Sequence, residues 1–431
     1  MKPQSSLNKV LKNAGILLSG NMGANIFGLL SLAIFTHSQS IVVFGYYVLF
    51  LTFIEIIDKI FNFQTWQAFI KFATDFQVKD EEHNVMMLLK YCFLVDFLSL
   101  MVATLVALAL SFYAIEFFEI PQEYYQLLLL MTLTILFRIT EISTGIFRLF
   151  DEFKIQAKIT VYTAAFKLAL FGFIGLAAPS FEAFVYAAVL SQFVTMMMNF
   201  FYAKRILNNN AIEIKGIKKE KINMPLLKEL KIFPFIIYNN FDVAVRMVSR
   251  QLDVVILGKL YGAEIVGIYK IAKEVASLIS RLTDPVYQAI YPEFAKLLAN
   301  GKKLEAKVTA KKVSLYAGGA GLVFYGLFIL LGEWAIEISF GKEFLGAYSV
   351  ILVYFLATFI AVITLPLYPM QHAFGYAKDA FTNQIHSTLA YLPILLVLTI
   401  YFEMIGASLA YIFYYVYLSR LTFNSVKKGF E

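Results

Sequence analysis

Charged side chains recur at helical spacing inside two long apolar segments in the second half of the chain. The first segment carries Asp242, Arg246, Ser249, Arg250 and Asp253, and the second carries Lys270, Lys273, Ser277, Arg281 and Asp284. Residues three, four and seven positions apart share one face of an α-helix, so each set forms a single stripe. A charge inside a bilayer costs about 2.5 to 3.5 kcal/mol even on a lenient insertion scale, so each stripe is expected to face water or a partner.

The basic members of these stripes are suited to phosphate. A guanidinium group can donate two parallel hydrogen bonds to one anionic group, and a neighbouring ammonium adds charge. We therefore predict a substrate-binding wall in a hydrophilic cavity of the second half. Its candidate residues are Arg246, Arg250, Lys270, Lys273 and Arg281.

The same stripes have an alternative interpretation, in which acids and bases of one helix pair with each other and fix helix packing. Acids three or four residues from a base are spaced for local ion pairs. These pairs are Asp242 with Arg246, Arg250 with Asp253, and Lys270 with Glu274. The one-sided distribution favours the cavity, because helix packing in lipid is normally achieved with small residues and uncharged hydrogen bonds.

A second set of charges lies in apolar segments of the first half of the chain. Glu55, Asp58 and Lys59 share the second segment, Asp96 lies on the third, and the fourth holds Arg138 and Glu141. Together with Asp242, the residues Glu55, Asp58, Lys59 and Asp96 are candidates for binding a coupling ion or for pairing at a lobe interface. Structural pairing is the favoured interpretation of this set.

Composition and charge identify the environment of these segments. The chain of 431 residues is 60% hydrophobic and only 16% charged, with a net charge of +7, which indicates an integral membrane protein. Most Lys and Arg residues fall on every second connection between apolar runs, so both termini are predicted to be cytoplasmic. The positive loops are expected to contact anionic membrane lipids, and no basic domain of a nucleic-acid-binding type is found.

Twelve apolar runs reach the length of about 20 residues that a bilayer requires. They are residues 14–35, 41–63, 86–112, 124–147, 159–177, 181–202, 232–257, 265–294, 313–336, 344–367, 380–402 and 405–423. Such continuous runs favour helices over a barrel. Pro366 and Pro369 are expected to break or kink the tenth run.

The runs divide six and six around a polar, basic connection. We predict an N-terminal lobe at 1–203, a cytoplasmic linker at 204–231 and a C-terminal lobe at 232–431. Residues 34–47 and 256–269 align without gaps as a weak internal repeat, matching Ile34 with Ile256, Gly45 with Gly267, and Tyr47 with Tyr269. A parallel repeat of this kind predicts an all-α membrane protein whose two six-helix lobes surround a central cavity.

The stretch 252–269 (LDVVILGKLYGAEIVGIY), continued by Tyr291-Pro292-Glu293-Phe294, resembles the bacterial polysaccharide flippases of the multidrug/oligosaccharidyl-lipid/polysaccharide exporter superfamily. Phe44-Gly45-Tyr46-Tyr47 is similar to the corresponding signature of the first half. The resemblance implies a bacterial cytoplasmic membrane protein that flips lipid-linked, prenyl-diphosphate glycans by alternating access. It also implies coupling to a proton or sodium gradient and, as partners, a polysaccharide polymerase and glycosyltransferases.

Other functions are weighed against this one. A multidrug or cation antiporter of the same superfamily would favour an acidic, aromatic cavity, whereas the stripes here are basic. A membrane-embedded glycan-processing enzyme would need a long extramembrane loop with carboxylates or a nucleotide site. We expect no enzymatic activity and no cofactor, since the four histidines are scattered and a single cysteine, Cys92, offers no metal cluster.

Overall fold

The architecture was analysed in a computed structural model of the chain. It describes residues 3–210, 212 and 214–431, with the side chains of all of these except 3–11, 13–14, 214–215, 218, 242, 246, 248–249, 279–289, 292 and 377. The described chain is helical almost throughout, as the sequence predicted.

Fifteen α-helices follow one another along the described chain. They are α1 (Pro3–Ser38), α2 (Ile41–Phe61), α3 (Trp66–Val78), α4 (Glu82–Phe117), α5 (Tyr125–Thr132), α6 (Glu141–Leu149), α7 (Phe153–Ala177), α8 (Phe181–Asn209), α9 (Ile214–Lys219), α10 (Met224–Glu229), α11 (Ile232–Ala299), α12 (Lys303–Phe340), α13 (Ala347–Ile363), α14 (Leu367–Ala373) and α15 (Ala377–Phe430). Short 3-10 segments cover Gln122–Tyr124, Leu133–Arg138 and Lys342–Phe344.

Nine stretches of the described helices are long and apolar enough to cross a membrane. They are Gly15–Ser38, Ile41–Val78, Glu82–Phe117, Gln122–Leu149, Phe153–Ala177, Phe181–Asn209, Lys303–Phe340, Ala347–Ala373 and Lys378–Phe430. The last of these contains two of the predicted runs, and α11 contains two more. The helices are therefore consistent with twelve spans.

Helix α11 is a hairpin of two arms. Gly262 interrupts it with φ 81° and ψ −173°, a conformation that glycine adopts without steric cost. On a straight helix Asp253 and Lys273 would lie about 30 Å apart, yet the Lys273 ammonium is 2.8 Å from the Asp253 carboxylate. The chain therefore reverses at Gly262, and the two arms run antiparallel.

Helix α15 reverses in the same way at Glu403, the one residue inside it with a non-helical backbone. A Cβ added to Gly406 would overlap the carbonyl of Leu398, although residues eight apart on a straight helix are separated by about 12 Å. The Tyr261 hydroxyl donates to the carbonyl oxygens of Thr399, at 3.1 Å, and Ile400, at 2.8 Å, close to this second turn.

Contacts divide the chain into two compact units. The C-terminal unit comprises Asp253–Glu431, Ser40–Gly45 and the start of α1 up to Gly15, and the N-terminal unit comprises Ile16–Gln39 and Tyr46–Leu252. The core of the N-terminal unit joins α3, α4, α6 and α8 through buried apolar side chains such as Phe69, Leu88 and Phe147. The six-and-six lobe boundaries remain a prediction.

The aligned glycines of the internal repeat lie at one helix crossing in the C-terminal unit. A Cβ on Gly45 would overlap the backbone of Ala263, and a Cβ on Gly267 would come within 2.9 Å of the Ile41 carbonyl oxygen. The repeat aligns Ile41 with Ala263, so the two contacts are equivalent and reciprocal. Reciprocal contacts of this type are the signature of a two-fold relation between two copies of a motif.

The predicted run at 124–147 is not one continuous helix. It is divided into α5, the 3-10 segment Leu133–Arg138, and α6. Thr132 and Thr134 donate their hydroxyls to carbonyls three residues back, each at 2.6 Å, a pattern that bends helices. The predicted break in the tenth run is present, since α13 ends at Ile363 and Pro366 precedes α14.

Replacing Gly45 by alanine is expected to destabilise the fold by about 1 to 3 kcal/mol, because the new methyl group must displace the Ala263 backbone. Gly28→Ala is the matched control, since a Cβ there would meet no atom within 4 Å. Thermal unfolding in detergent should show a lower midpoint for Gly45→Ala alone. Equal midpoints for the two variants would contradict the close crossing.

Replacing Lys273 by methionine is expected to cost about 3 to 5 kcal/mol, because the fully buried Asp253 would lose its counter-charge. The double variant Lys273→Met/Asp253→Asn removes both charges and should recover most of that loss. Lys270→Met is the control on the same arm, since Lys270 pairs with the partly exposed Glu274 and should lose less. A double variant that unfolds as readily as Lys273→Met would show that charge pairing is not what holds the hairpin.

Candidate functional site

Asp58 is the centre of the charged residues in the N-terminal unit. It is fully buried, and its carboxylate accepts a hydrogen bond from Arg138 Nη1 at 2.9 Å. Lys59 Nζ is 3.3 Å from the same oxygen, and Asn62 Nδ2 donates to the other at 3.1 Å. Arg138 reaches this position because it ends the 3-10 segment that interrupts the fourth run. We name Asp58, Lys59, Asn62 and Arg138 the Asp58 cluster.

Two further acids lie near this cluster, one on the same helix and one on α6. Glu55, one turn before Lys59 on α2, accepts a 2.7 Å hydrogen bond from Gln251 Nε2. Glu141 opens α6 and interacts electrostatically with Lys59 and Arg148. The Arg148 guanidinium lies 4.1 Å from the centroid of the Trp66 ring. Asp58 is thus paired with Arg138 and Lys59 inside the N-terminal unit, which is the structural pairing expected for it.

Asp96 on α4 has a different environment. It is fully buried, and within the described part of the chain neither carboxylate oxygen has a hydrogen bond of ordinary geometry. Polar groups beside it include Thr65, which is also fully buried, and the backbone of Ile142. The charged or titratable neighbours are Cys92, one turn earlier on α4, and Glu141. An acid with this surrounding is chemically able to exchange a proton.

Asp253 is the centre of a second cluster, in the C-terminal unit. Lys273 Nζ contacts both of its carboxylate oxygens, at 3.0 and 2.8 Å. The Tyr269 hydroxyl donates to Asp253 Oδ2 at 2.7 Å, and the backbone N–H of Val254 donates to Oδ1 at 2.8 Å. These donors come from both arms of the α11 hairpin. Asp253, Tyr269 and Lys273 form the Asp253 cluster.

Tyrosine rings surround the Asp253 cluster. The Lys273 ammonium lies 5.9 Å from the ring centroid of Tyr411 on α15, a ring that packs against Tyr354 of α13 at 5.0 Å and Tyr391 of α15 at 5.2 Å. Tyr414 continues the set, 5.6 Å from Tyr391, and its hydroxyl accepts a hydrogen bond from Gln384 at 2.5 Å. This tyrosine set combines stacking surfaces with hydroxyl groups in the interior of the unit.

The tyrosine set was not predicted from the sequence. The chain contains 26 tyrosines, and aromatic residues in apolar runs are equally typical of lipid-facing and interfacial positions. The signal was the spacing of Tyr411, Tyr414 and Tyr415, which places them on one face of the last span. Only their packing against other helices distinguishes them from the exposed Tyr401.

The candidate substrate-binding residues differ in their partners and in their exposure. Lys273 is paired with Asp253, and Lys270 is 2.8 Å from Glu274, as the local-pair interpretation expected for Lys270. Arg250 is exposed on the first arm of α11. The side chains of Arg246 and Arg281, and that of Asp242, lie outside the described residues, so the predictions for them stand as made.

The described residues contain no group of three or more His, Cys, Asp or Glu side chains arranged to hold a metal ion. The Asp58 and Asp253 clusters offer charge pairing, hydrogen bonding and aromatic contact.

Comparison with known sequences gives the family. The model of a family described as "Polysaccharide biosynthesis protein" matches residues 10–298, which is more than half of the chain. A curated relative, "Inner membrane protein YghQ" of Escherichia coli K12, is 23% identical over 349 residues, covering 79% of this chain and 95% of that protein.

Comparison with solved structures gives the fold. A multidrug resistance MATE family transporter of the MOP superfamily, in its inward-facing conformation, matches with a TM-score of 0.75 and 12% identity, covering 94% of this chain and 93% of that one. The lipid II flippase MurJ matches with a TM-score of 0.69 and 15% identity, over 96% of this chain and 89% of that one. A MOP superfamily transporter from Pyrococcus furiosus matches at 0.68 and 11% identity, over 98% and 95%.

These likenesses confirm the predicted fold class, an all-α membrane protein with multiple spans. The polysaccharide-flippase resemblance noted at residues 252–269 falls within the matched region and is also confirmed. With the described helices arranged as in MOP superfamily transporters, and with two thirds of its length matched by one family model, this chain belongs to the polysaccharide biosynthesis protein family.

Proposed function

We propose that the protein is a transporter that flips lipid-linked, prenyl-diphosphate oligosaccharides or polysaccharide repeat units across the cytoplasmic membrane by alternating access. The observation that carries this proposal is the combination of a transporter fold with membership of a polysaccharide biosynthesis family. The printed name of MurJ, a lipid II flippase, supports a lipid-linked substrate. A fold shared with transporters agrees with a role that requires no covalent chemistry.

The proposed location is the bacterial cytoplasmic membrane, with both termini in the cytoplasm. The name of the Escherichia coli relative supports the membrane, and the alternating distribution of Lys and Arg supports the orientation. A polysaccharide polymerase and glycosyltransferases are the proposed partners, because a flipped repeat unit must be assembled on one side and consumed on the other.

Phosphate recognition is the step for which the chain offers specific groups. The headgroup must enter a polar environment while the prenyl chain stays in lipid, so the protein has to neutralise a diphosphate inside the membrane. Arg250 is exposed and can present its guanidinium to a phosphate, and the sequence predicts Arg246 and Arg281 as further donors. Lys270 and Lys273 lie 2.8 Å from the carboxylates of Glu274 and Asp253, so in this proposal they contribute less to phosphate binding than the arginines.

A multidrug or cation antiporter of the same superfamily is the second candidate function. The buried acids Asp58 and Asp96 of the N-terminal unit favour it, since carboxylates attract cations. The Asp58 carboxylate, however, already accepts hydrogen bonds from Arg138 and Asn62, which reduces its capacity to bind a further cation. A membrane-embedded enzyme is the third candidate and would reveal itself by a changed glycan product.

Ion coupling is assigned in this proposal to a proton, with Asp96 as the group that takes it up. Asp96 differs from Asp58 in lacking an arginine partner among the described residues, and its neighbours Thr65, Cys92 and Glu141 carry no positive charge that would hold it permanently ionised. Sodium is the alternative ion.

Transport is tested by reconstituting the protein in proteoliposomes with fluorescent prenyl-diphosphate glycans and measuring their movement between leaflets. Arg250→Gln should slow flipping about tenfold to a hundredfold, because a charge-assisted hydrogen bond is worth about 1.5 to 3 kcal/mol. Arg205→Gln, which removes an exposed arginine from α8, should leave the rate unchanged. No flipping of any such lipid by the unaltered protein, together with efflux of a cationic dye, would reject the flippase in favour of the antiporter.

Coupling is tested by imposing proton and sodium gradients separately on the same proteoliposomes. Asp96→Asn is expected to abolish the acceleration by a proton gradient while leaving gradient-free flipping measurable. Ser111→Ala, a buried polar change on the same helix, is the control. Acceleration by a proton gradient that survives in Asp96→Asn would remove Asp96 from the coupling role.

A further inference from the structure

An apolar groove with a basic end lies on the C-terminal unit. It is bounded by α12, by the α13–α14 segment and by the last turns of α15, and its volume is about 610 Å³. Most of its wall is apolar, including Leu322, Phe359 and Phe423. The polar lining residues are Lys307, Lys311, Lys427 and Ser314. The groove thus has an apolar part that suits an acyl chain and a basic end that suits an anionic headgroup.

The length of the groove matches one leaflet of a bilayer. From Lys307 to Leu322 it follows α12 for about 22 Å at the rise of an α-helix. Half of a bilayer core measures about 15 Å, so the groove accommodates one lipid chain and leaves several ångströms for a headgroup at the lysine end. A much longer prenyl chain would extend well beyond it.

The groove is open beside Gly319, which has no side chain. A Cβ added to Gly319 would meet no atom within 4 Å, so this lining residue borders free space. Leu315 and Leu322 beside it are 73% and 58% exposed. The groove is therefore a concave surface into which a flexible apolar chain can be laid.

The three lysines converge from two helices. Lys307 and Lys311 lie one turn apart near the start of α12, and Lys427 belongs to the last turns of α15. Lys307 Nζ lies 5.8 Å from the ring centroid of Phe430, which holds the two helix ends together. Lys427 is 3.6 Å from Glu431, but both side chains are about two-thirds exposed, so the pair is screened by water. The lysine end keeps a net positive charge.

We propose that this groove binds one anionic phospholipid from the leaflet on the side of the C-terminus. The acyl chain occupies the apolar part beside Gly319, and the headgroup phosphate contacts Lys307, Lys311 and Lys427. Basic pockets between membrane helices on the cytoplasmic side favour such headgroups. The site takes a phospholipid as a structural ligand, and its occupancy does not depend on what the protein transports.

The headgroup contact is tested by native mass spectrometry of the full-length protein titrated with phosphatidylglycerol or with phosphatidylcholine of the same chains. Phosphatidylglycerol should bind with 1:1 stoichiometry and at least about tenfold more tightly. Lys307→Gln/Lys311→Gln/Lys427→Gln should remove that preference. The control Lys303→Gln/Lys312→Gln/Lys428→Gln changes the net charge equally, on the same two helices, at exposed lysines outside the groove, and should keep it.

The chain contact is tested with Gly319→Leu, because a Cβ at this lining position meets no atom within 4 Å and the rest of the new side chain would occupy part of the groove. It should weaken phosphatidylglycerol binding at least about tenfold at an unchanged thermal midpoint. Gly326→Leu is the control, because Gly326 lies on the same helix, has equal free space and does not line the groove.

Three outcomes overturn the proposal: equal binding of the two phospholipids, equal loss in the groove and control variants, or displacement of phosphatidylglycerol by an equimolar prenyl phosphate. The last outcome would make the groove a substrate site. Since the readout is binding in detergent, it is independent of flipping, and a protein that binds phosphatidylglycerol but moves no glycan would contradict only the proposed function.

Discussion

A carboxylate that is buried in the membrane must be neutralised, and this requirement determines the local structure of both units. In the C-terminal unit the Asp253 carboxylate receives the Lys273 ammonium and the Tyr269 hydroxyl from the opposite arm of α11. In the N-terminal unit Asp58 receives Arg138 from a different helical segment. Because a lone buried charge costs several kcal/mol, each pair fixes two segments in register. The ion pairs thus hold separate helical segments together. The net charge of any binding site is the charge that is left over once these pairs have formed.

The parts of this architecture that depend on local patterns could be predicted from the sequence. Apolar runs of sufficient length predicted the spans, and each run falls largely on described helices, with interruptions in the fourth and the tenth. The aligned glycines Gly45 and Gly267 predicted a repeated motif. Their side-chain-free surfaces meet at one crossing, where each approaches the backbone of the other copy. Glycine at such a position is informative because a side chain would prevent the close backbone approach. Gly262 is informative for a different reason, since its positive φ permits the reversal of α11.

The parts that depend on distant partners could not be predicted. Spacing along one helix indicates which charges can pair locally, as it did for Lys270 with Glu274, but it does not reveal that Asp253 contacts a lysine twenty positions away. Hydropathy also does not reveal the 3-10 segment that presents Arg138 to Asp58, since its threonine and leucines are ordinary in a membrane span. The tyrosine set was missed for a related reason. The sequence does not show whether a tyrosine faces lipid or packs against other helices, and only its neighbours decide this.

The pairing of Lys273 has a consequence for how a diphosphate could be bound. A phosphate that drew the ammonium away from Asp253 would leave a fully buried carboxylate with only a hydroxyl and one backbone donor. The energy lost there would offset much of the energy gained by the new contact. Among the candidates with described side chains Arg250 is exposed, and the interactions of an exposed charge are weaker than those of a fully buried ion pair. Phosphate recognition is therefore expected to rely on exposed arginines, whereas Lys273 stabilises the α11 hairpin through Asp253.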